Sequence, residues 1–281
     1  MSDAAAVKRL GVIGDPVAHS ISPAIQQAAL DRTGVAATYE RWHTPVEELP
    51  DRIASLRAPD VLGANVTVPH KQAVVPLLDE VRPVAIRAGA VNTIINQAGR
   101  LIGDNTDVHG VQAALANVCP DIGSRSVLIL GAGGAARGVV LGLDNLGVSR
   151  IRLWNRKTGR VQQLVADLAP LSIDVVDADL VALERAVEKA MVLINATSVG
   201  WHGDETPLPV SHLSHLHAGS LVMDLTYRDT ALLQAARERG VQTLDGLPML
   251  VYQGARAFEL WTGVDAPVAV MFEAARAARE R

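Results

Sequence analysis

The sequence predicts an α/β protein of two domains, and three observations carry that prediction. Apolar runs of strand length alternate with amphipathic stretches of helical length, the pattern of a largely parallel sheet covered by helices. The alternation occurs twice, the second series beginning near residue 126 with an apolar run that leads into a glycine-rich turn. A length of 281 residues, 49% hydrophobic and 20% charged, suffices for two cores of ordinary size.

In the first series "LGVIG", "TYERW" and "VLGANVTV" read as strands, with "SPAIQQAALDRTG" and "PVEELPDRIASL" as helices. The segment leaving the first strand, "GDPVAHSISP" (14–23), holds one glycine and is a poor phosphate loop. Ser22 reads as a helix cap with Pro23 at the first helical position. That explains neither His19 nor Ser20. "GRLIGDNTDVHGVQAALANV" reads as a loop through Gly103, Asp104, Asn105 and Thr106 that feeds a helix from about Asp107, and the chain crosses to its second domain there.

The second series runs "SVLILGAGG", "AARGVVLGLDNLG", "RIRLWN", "TGRVQQLVADLA", "MVLINAT", "SLVMDLTY" and "TALLQAARERG". It reads as a doubly wound, Rossmann-type nucleotide-binding domain. After a weak strand near Val241, "GLPMLVYQGARAFELWTG" and "PVAVMFEAARAARE" read as two helices.

Bulk chemistry removes several classes of function. With 26 Lys and Arg against 30 Asp and Glu, the net charge of −4 lacks the basic balance of a nucleic-acid or anionic-membrane surface. Cys119, the single cysteine, permits no internal disulfide and has no ligand-like neighbour, so a small buried apolar role fits it best. No apolar run is long enough to cross a bilayer and the N-terminus has no leader pattern, which predicts a cytoplasmic protein. "SHLSHLH" offers His212, His215 and His217, but no carboxylate or cysteine joins them and the segment reads as a surface loop; no metal is expected.

"GAGGAA" (131–136) fits the dinucleotide fingerprint in its proper setting, after an apolar strand and opening a helix. Gly131 makes the tight turn, Gly133 lets the backbone approach a pyrophosphate, and the helix N-terminus supplies partial positive charge. Beyond the next strand an NAD site usually has an acidic side chain. Asn155, Arg156 and Lys157 stand there, with Arg160 following. Guanidinium groups match a phosphate bidentately, so the cluster predicts NADP, with a solvated charged turn as the alternative.

Three stretches of the first series place polar groups at the ends of apolar runs, where ligands of open α/β sheets bind. "NVTVPHK" (65–71) carries Asn65, Thr67 and Lys71, "GAVNTI" (89–94) carries Asn92 and Thr93, and "GDNTD" (103–107) ends in Asp107. Singly, Lys71 could be a solvated lysine, Asn92 a turn former and Asp107 a helix cap. With "HSISP" they look like one site.

Together these motifs resemble the shikimate dehydrogenase family, in the expected order and over nearly the whole chain. The resemblance is carried by "HSISP", "NVTVPHK", "GAVNT", "GDNTDVHG", "GAGGAAR", "NRKTGR", "NATSVG" and "GLPMLVYQGARAFELWTG". It implies a substrate domain of residues 1–105 plus 246–281, an NADP domain of residues 106–245, and a cleft where they meet. It further implies that Ser20 and Ser22 bind a substrate carboxylate, that Asn65, Thr67, Asn92, Asp107 and Gln253 take ring hydroxyls, and that Tyr227 adds a substrate-side contact. Lys71 and Asp107 are the implied catalytic pair. Gly131, Gly133, Gly134, Ala135, Asn155, Arg156, Lys157, Arg160, Thr197 and Gly246 are the implied cofactor contacts.

The implied reaction is the reversible, NADP-dependent reduction of 3-dehydroshikimate to shikimate in aromatic amino-acid biosynthesis, with a homodimer compatible. A quinate/shikimate dehydrogenase with relaxed cofactor use and a non-catalytic dinucleotide-binding paralogue are the alternatives; retention of both Lys71 and Asp107 argues against the second. Two departures from the family pattern stand out: Arg228-Asp229-Thr230-Ala231 replaces a proline-containing turn after Tyr227, and Pro248 and Tyr252 occupy positions where glycine and histidine are frequent.

Overall fold

The computed structural model describes residues 7–280, which fall into two compact units. One comprises the chain up to Gly110 and again from Leu250, the other Val111–Met249. The division falls inside two helices, whereas the sequence reading puts it in the loops that feed them.

The first unit begins with β1 (Lys8–Gly14), α1 (Ser22–Thr33), β2 (Ala37–His43), α2 (Leu49–Ser55) and β3 (Val61–Val66). β1 pairs in parallel with both β2 and β3. β4 (Glu80–Val81), α3 (Pro83–Ala88), β5 (Thr93–Gln97), β6 (Arg100–Asp104) and α4 (Asp107–Val118) follow. The sheet order is β2-β1-β3-β5-β6-β4. β5 is antiparallel to both β3 and β6, so this sheet is mixed and not largely parallel. Gly103 and Asp104, read from sequence as loop, end β6.

The hairpin that reverses the chain turns on Ala98 and Gly99, both at positive φ (53° and 89°). That is a two-residue primed turn, whose twist matches paired strands. Alanine seldom takes such a φ, which hid the turn from sequence reading. Asn96 holds it by accepting from the Gly99 N–H at 2.8 Å. Ile13, Ala64, Val66, Ile94 and Leu101 of the sheet form one buried cluster with Leu49 and Ile53 of α2 and Ala85 of α3.

The second unit contains β7 (Ser126–Leu130), α5 (Gly134–Asn145), β8 (Arg150–Trp154), α6 (Thr158–Asp167), β9 (Ile173–Val175), α7 (Leu180–Glu188), β10 (Val192–Asn195), β11 (Leu221–Asp224), α8 (Ala231–Glu238) and β12 (Gln242–Leu244). Its six strands are parallel in the order β12-β11-β10-β7-β8-β9, the doubly wound arrangement with its switch point beside β7. β7 and β10 are buried along their whole length, as central strands covered on both faces must be. "SHLSHLH" is not a surface loop: Val210–His215 form a short 3-10 helix with His212 buried. Its His215 meets the carboxylate of Glu184 at 2.8 Å. Among the described residues no histidine, cysteine and carboxylate group could hold a metal.

The chain returns to the first unit through α9 (Leu247–Thr262) and ends in α10 (Val268–Arg279). Two bonds seat α9. The Gln26 side chain donates to the Gly254 carbonyl at 2.9 Å, and Trp261 Nε1 donates to the Ile94 carbonyl at 2.9 Å. The indole comes this close because Gly63 lies beneath it, at φ 156° and without room for a Cβ. Pro248 sits in the first turn of α9, where its missing N–H costs nothing, and Tyr252 packs edge-on against Phe272 of α10 with centroids 5.4 Å apart. Among the described residues no helix is long and apolar enough to cross a membrane.

Candidate active site

In the first unit, Lys71 Nζ lies 2.5 Å from Asp107 Oδ2, and both side chains are largely shielded, 15% and 7% exposed. Lys71 stands past the end of β3, while Asp107 opens α4, so the pair joins two strand exits. Asp107 is the first residue of the helix, as the sequence reading places it, and the alternative of a helix cap does not hold. The preceding Thr106 carbonyl accepts the Gly110 N–H at 2.9 Å, and Asn105 Oδ1 accepts the Asp107 N–H at 3.1 Å. The Asp107 carboxylate is therefore not spent on its own helix, and Oδ2 faces the lysine.

Asn92 organises the remainder. Its Oδ1 accepts the Thr106 N–H at 2.7 Å, which directs Nδ2 toward Asp107 Oδ1 (2.9 Å), Thr106 Oγ1 (3.0 Å) and Gln253 Oε1 (3.3 Å). An amide has two N–H donors for these three acceptors, and Gln253 Oε1, the farthest, also lies 3.3 Å from the Thr106 hydroxyl that can donate to it, so with Asn92 spent on the nearer two, one of its two lone pairs is left for a ligand hydroxyl. Gln253 is itself held by donating to the Leu250 carbonyl at 2.9 Å. Asn65 joins through Nδ2, which donates to the Asn92 carbonyl and to Thr93 Oγ1, both at 3.2 Å. Its Oδ1 is taken by the Tyr39 hydroxyl at 2.6 Å, and burial raises the Tyr39 pKa well above the ordinary phenol value, so the tyrosine stays a donor.

Ser20 and Ser22 are half-buried at the mouth of α1. The expected cap is reversed: Ser22 is the first helical residue, Ile21 precedes it, and Ser20 Oγ accepts the Ser22 N–H at 3.3 Å. Among the described residues the Ser22 hydroxyl has no hydrogen-bond partner and the Ser20 hydroxyl proton is uncommitted. Arg41 fastens this loop by donating twice to the Ser20 carbonyl, at 2.8 and 3.1 Å. Thr67 follows β3, its methyl against Gly14. Neither the serines nor Thr67 hydrogen-bond with the Lys71 cluster among the described residues.

In the second unit Gly131 turns the chain at φ 113°, and a Cβ there would strike the Ala196 carbonyl at 2.9 Å. Gly133 is exposed with nothing within 4 Å of an added Cβ, leaving its backbone open at the N-terminus of α5, which starts at Gly134; Ala135 follows. Asn155, Arg156, Lys157 and Arg160 lie between β8 and the first turn of α6. Arg156, Lys157 and Arg160 are exposed and form no ion pair among the described residues. Open amides at a helix N-terminus and uncommitted cations after the second strand fit a dinucleotide carrying an additional phosphate. Thr197 is held by Asn195, whose Oδ1 accepts its N–H at 3.0 Å and its hydroxyl at 2.7 Å. Gly246 follows β12, so close to the Leu225 carbonyl that a Cβ would come within 2.0 Å. Tyr227 follows β11 and meets Trp201 edge-on, centroids 4.8 Å apart, while Arg228 lies over the same indole at 5.1 Å.

Sequence reasoning placed Thr93 among the polar groups of the site and missed Tyr39 and Thr106 as parts of the cluster. Thr106 was visible within "GDNTD". Nothing local in "TYERW" marks Tyr39, because its partner lies 26 residues away. Cys119 is buried, and burial pushes its thiol up, as suits a packing role.

A doubly wound unit with a glycine turn and a phosphate-matching cation cluster, in a chain that also carries a shielded lysine–carboxylate pair, defines a dinucleotide-dependent oxidoreductase. Family models for "Shikimate dehydrogenase substrate binding domain", "Shikimate / quinate 5-dehydrogenase" and "Shikimate 5'-dehydrogenase C-terminal domain" match residues 12–94, 113–203 and 246–276. The chain belongs to the shikimate dehydrogenase family. It is 44% identical over 277 residues to the shikimate dehydrogenase (NADP(+)) of Symbiobacterium thermophilum, covering 96% of this chain and 94% of that one. The shikimate 5-dehydrogenase of Thermus thermophilus, solved with NADP(H) and shikimate, is 39% identical with a TM-score of 0.87, covering 96% and 99% of the two chains. The quinate dehydrogenase of Corynebacterium glutamicum, solved with NAD, is 33% identical with a TM-score of 0.85, covering 96% and 99%.

Proposed function

We propose that Lys71 and Asp107 form the proton-handling pair of an enzyme that reversibly reduces 3-dehydroshikimate to shikimate with NADP. The observation that carries this reading is the 2.5 Å contact between Lys71 and Asp107, shielded and braced by Asn92. When bound, NADPH supplies the hydride that reduces the ring carbonyl carbon. Lys71 as an ammonium donates its proton to the carbonyl oxygen as negative charge develops there, and in the reverse direction its neutral amine accepts the hydroxyl proton. Asp107 accepts from Lys71 and holds the ammonium in place.

Ser20 and Ser22, with hydroxyl protons to give, suit a carboxylate. Asn65, Thr67, Asn92, Asp107 and Gln253 suit ring hydroxyls, and Tyr227 supplies a further substrate-side contact. Gly131, Gly133, Gly134 and Ala135 line the pyrophosphate turn, while Asn155, Arg156, Lys157 and Arg160 suit the 2′-phosphate. Thr197 and Gly246 complete the cofactor side.

Absorbance of reduced nicotinamide on mixing the protein, NADP and shikimate tests the activity, and crossing shikimate and quinate with NADP and NAD tests the specificity. No turnover with any pairing, in folded protein that binds NADP, would leave the non-catalytic paralogue. The reading also places the reaction in aromatic amino-acid biosynthesis in the cytoplasm. Rescue of a bacterium that requires aromatic amino acids tests that assignment, and sedimentation equilibrium tests the homodimer.

A further inference from the structure

Asn195 and Asp224 are the last residues of β10 and β11, register partners in the parallel sheet, and both are fully buried. Asn195 Nδ2 donates to Asp224 Oδ1 at 3.1 Å and also reaches the Val199 carbonyl at 3.2 Å. A carboxylate only accepts, so it dictates which end of the neighbouring amide turns toward it. With its nitrogen held by Asp224, the amide presents its oxygen to Thr197, where it accepts both the N–H and the hydroxyl. Thr197 Oγ1 then accepts the Val199 N–H at 3.1 Å.

Asp224 also organises the segment after its own strand. Oδ1 accepts the Thr226 N–H at 2.9 Å and Oδ2 accepts the Thr230 hydroxyl at 2.8 Å. Thr230 in turn caps α8 through the Leu233 N–H, which gives the unusual turn after Tyr227 a firm end without proline. The two segments meet again through the Trp201–Tyr227 ring contact.

We infer that Asp224, acting through Asn195, is a positioning residue that binds loop 196–201, which carries Thr197, and loop 225–230, which carries Tyr227, into a single mechanical piece. Cofactor-side and substrate-side contacts are then set by one buried carboxylate. The functional part of this inference rests on the roles proposed above for Thr197 and Tyr227; the coupling itself rests on the hydrogen bonds alone.

Amide hydrogen exchange of the cofactor-free protein separates the two. In Asp224→Ala, exchange at Thr197 and Val199 should rise about tenfold or more together with that at Thr226, as expected when a local closing contact is lost. Asn195→Ala should reciprocally speed exchange at Thr226, although that residue lies on the other loop. Asp224→Asn keeps an acceptor for Asn195 and should restore slow exchange at Thr197. Unchanged exchange at Thr197 in Asp224→Ala, or at Thr226 in Asn195→Ala, overturns the coupling; if Asp224→Ala does not fold, the second result decides. In kinetics, Asp224→Ala should raise the KM for both NADP and shikimate, beyond any fall in melting temperature. Thr197→Val serves as the control for the cofactor role. If it leaves NADP binding unchanged while the exchange results hold, the reading of Thr197 fails and the coupling stands.

Discussion

The two oxygens of Asp107 have different duties: Oδ2 faces Lys71, while Oδ1 is occupied by Asn92. Because the lysine acts chiefly where charge develops, Lys71→Ala should lower kcat by about 100- to 10,000-fold with little change in shikimate binding. Near-normal turnover in folded protein would remove Lys71 from the chemistry. Asp107→Ala should lose turnover too, and melting temperature measured alongside separates chemistry from the loss of its bonds to Asn92 and Lys71. For the serines the decisive fact is that no side chain among the described residues, Ser22 included, caps α1. Shikimate should exceed quinate in kcat/KM by about five- to a hundredfold, since burying the extra quinate hydroxyl without a partner costs roughly 1 to 3 kcal/mol. In the resembling family a threonine at the second serine accompanies quinate use, so Ser22→Thr should narrow that ratio. A parent ratio near one defeats the specificity. Arg156 is exposed and uncommitted, so Arg156→Ala should raise the KM for NADP and leave NAD nearly untouched; equal losses with both would show that it serves the fold.

At the scale of elements, what could be read from sequence divides along physical lines. The second unit was legible because each parallel strand is a continuous apolar run and its glycine turn leads straight into a helix. The β5–β6 hairpin was not, since its turn uses Ala98 in a conformation that composition does not announce. Lys71, Asn92 and Asp107 were recoverable because each follows or ends an apolar run. Their mutual bonds were not, for they depend on how strand exits 15 to 36 residues apart converge. The serine loop shows a subtler limit: the Ser-x-Ser-Pro pattern locates the helix start correctly but does not say which serine serves the backbone. Packing at the element scale gives its own prediction. In Gly63→Ala the new methyl would press on the Ile94 carbonyl at 2.1 Å and displace Trp261, at a backbone angle alanine avoids. The variant should lose about 1 to 3 kcal/mol in urea denaturation, the usual cost of overpacking. Unchanged stability would mean that the indole does not anchor α9.

Across the whole molecule the carboxylates set the response to acid. Arg57 and the Leu101 N–H hold Asp79 down to about 2, and Arg9, Arg125 and Arg137 lower Asp60, Asp121 and Asp167 in the same way. A depressed carboxylate stabilises the fold above its unfolded value and loses that contribution as pH falls through its folded value, so for Asp79 the window runs from 3.8 down to about 2. Buried Asp224 has the opposite sign, because burial raises its pKa and protonation toward 3.8 favours the folded state. Arg57→Ala should therefore flatten the fall in melting temperature below pH 4, and an identical profile would deny Asp79 its part. The order of the chain has a consequence of another kind, in time. The second unit is one continuous segment, complete when Met249 has been added, whereas the first unit waits for its two final helices. Gln26 meets its Gly254 partner across 228 residues of sequence, and Gln253 reaches Asn92 across 161. During synthesis the nucleotide-binding unit can thus settle while the six strands of the first sheet still lack α9 and α10. The bonds that join Gln26 to α9 and Gln253 to Asn92 are thus late to form, after the strands of both sheets have been made.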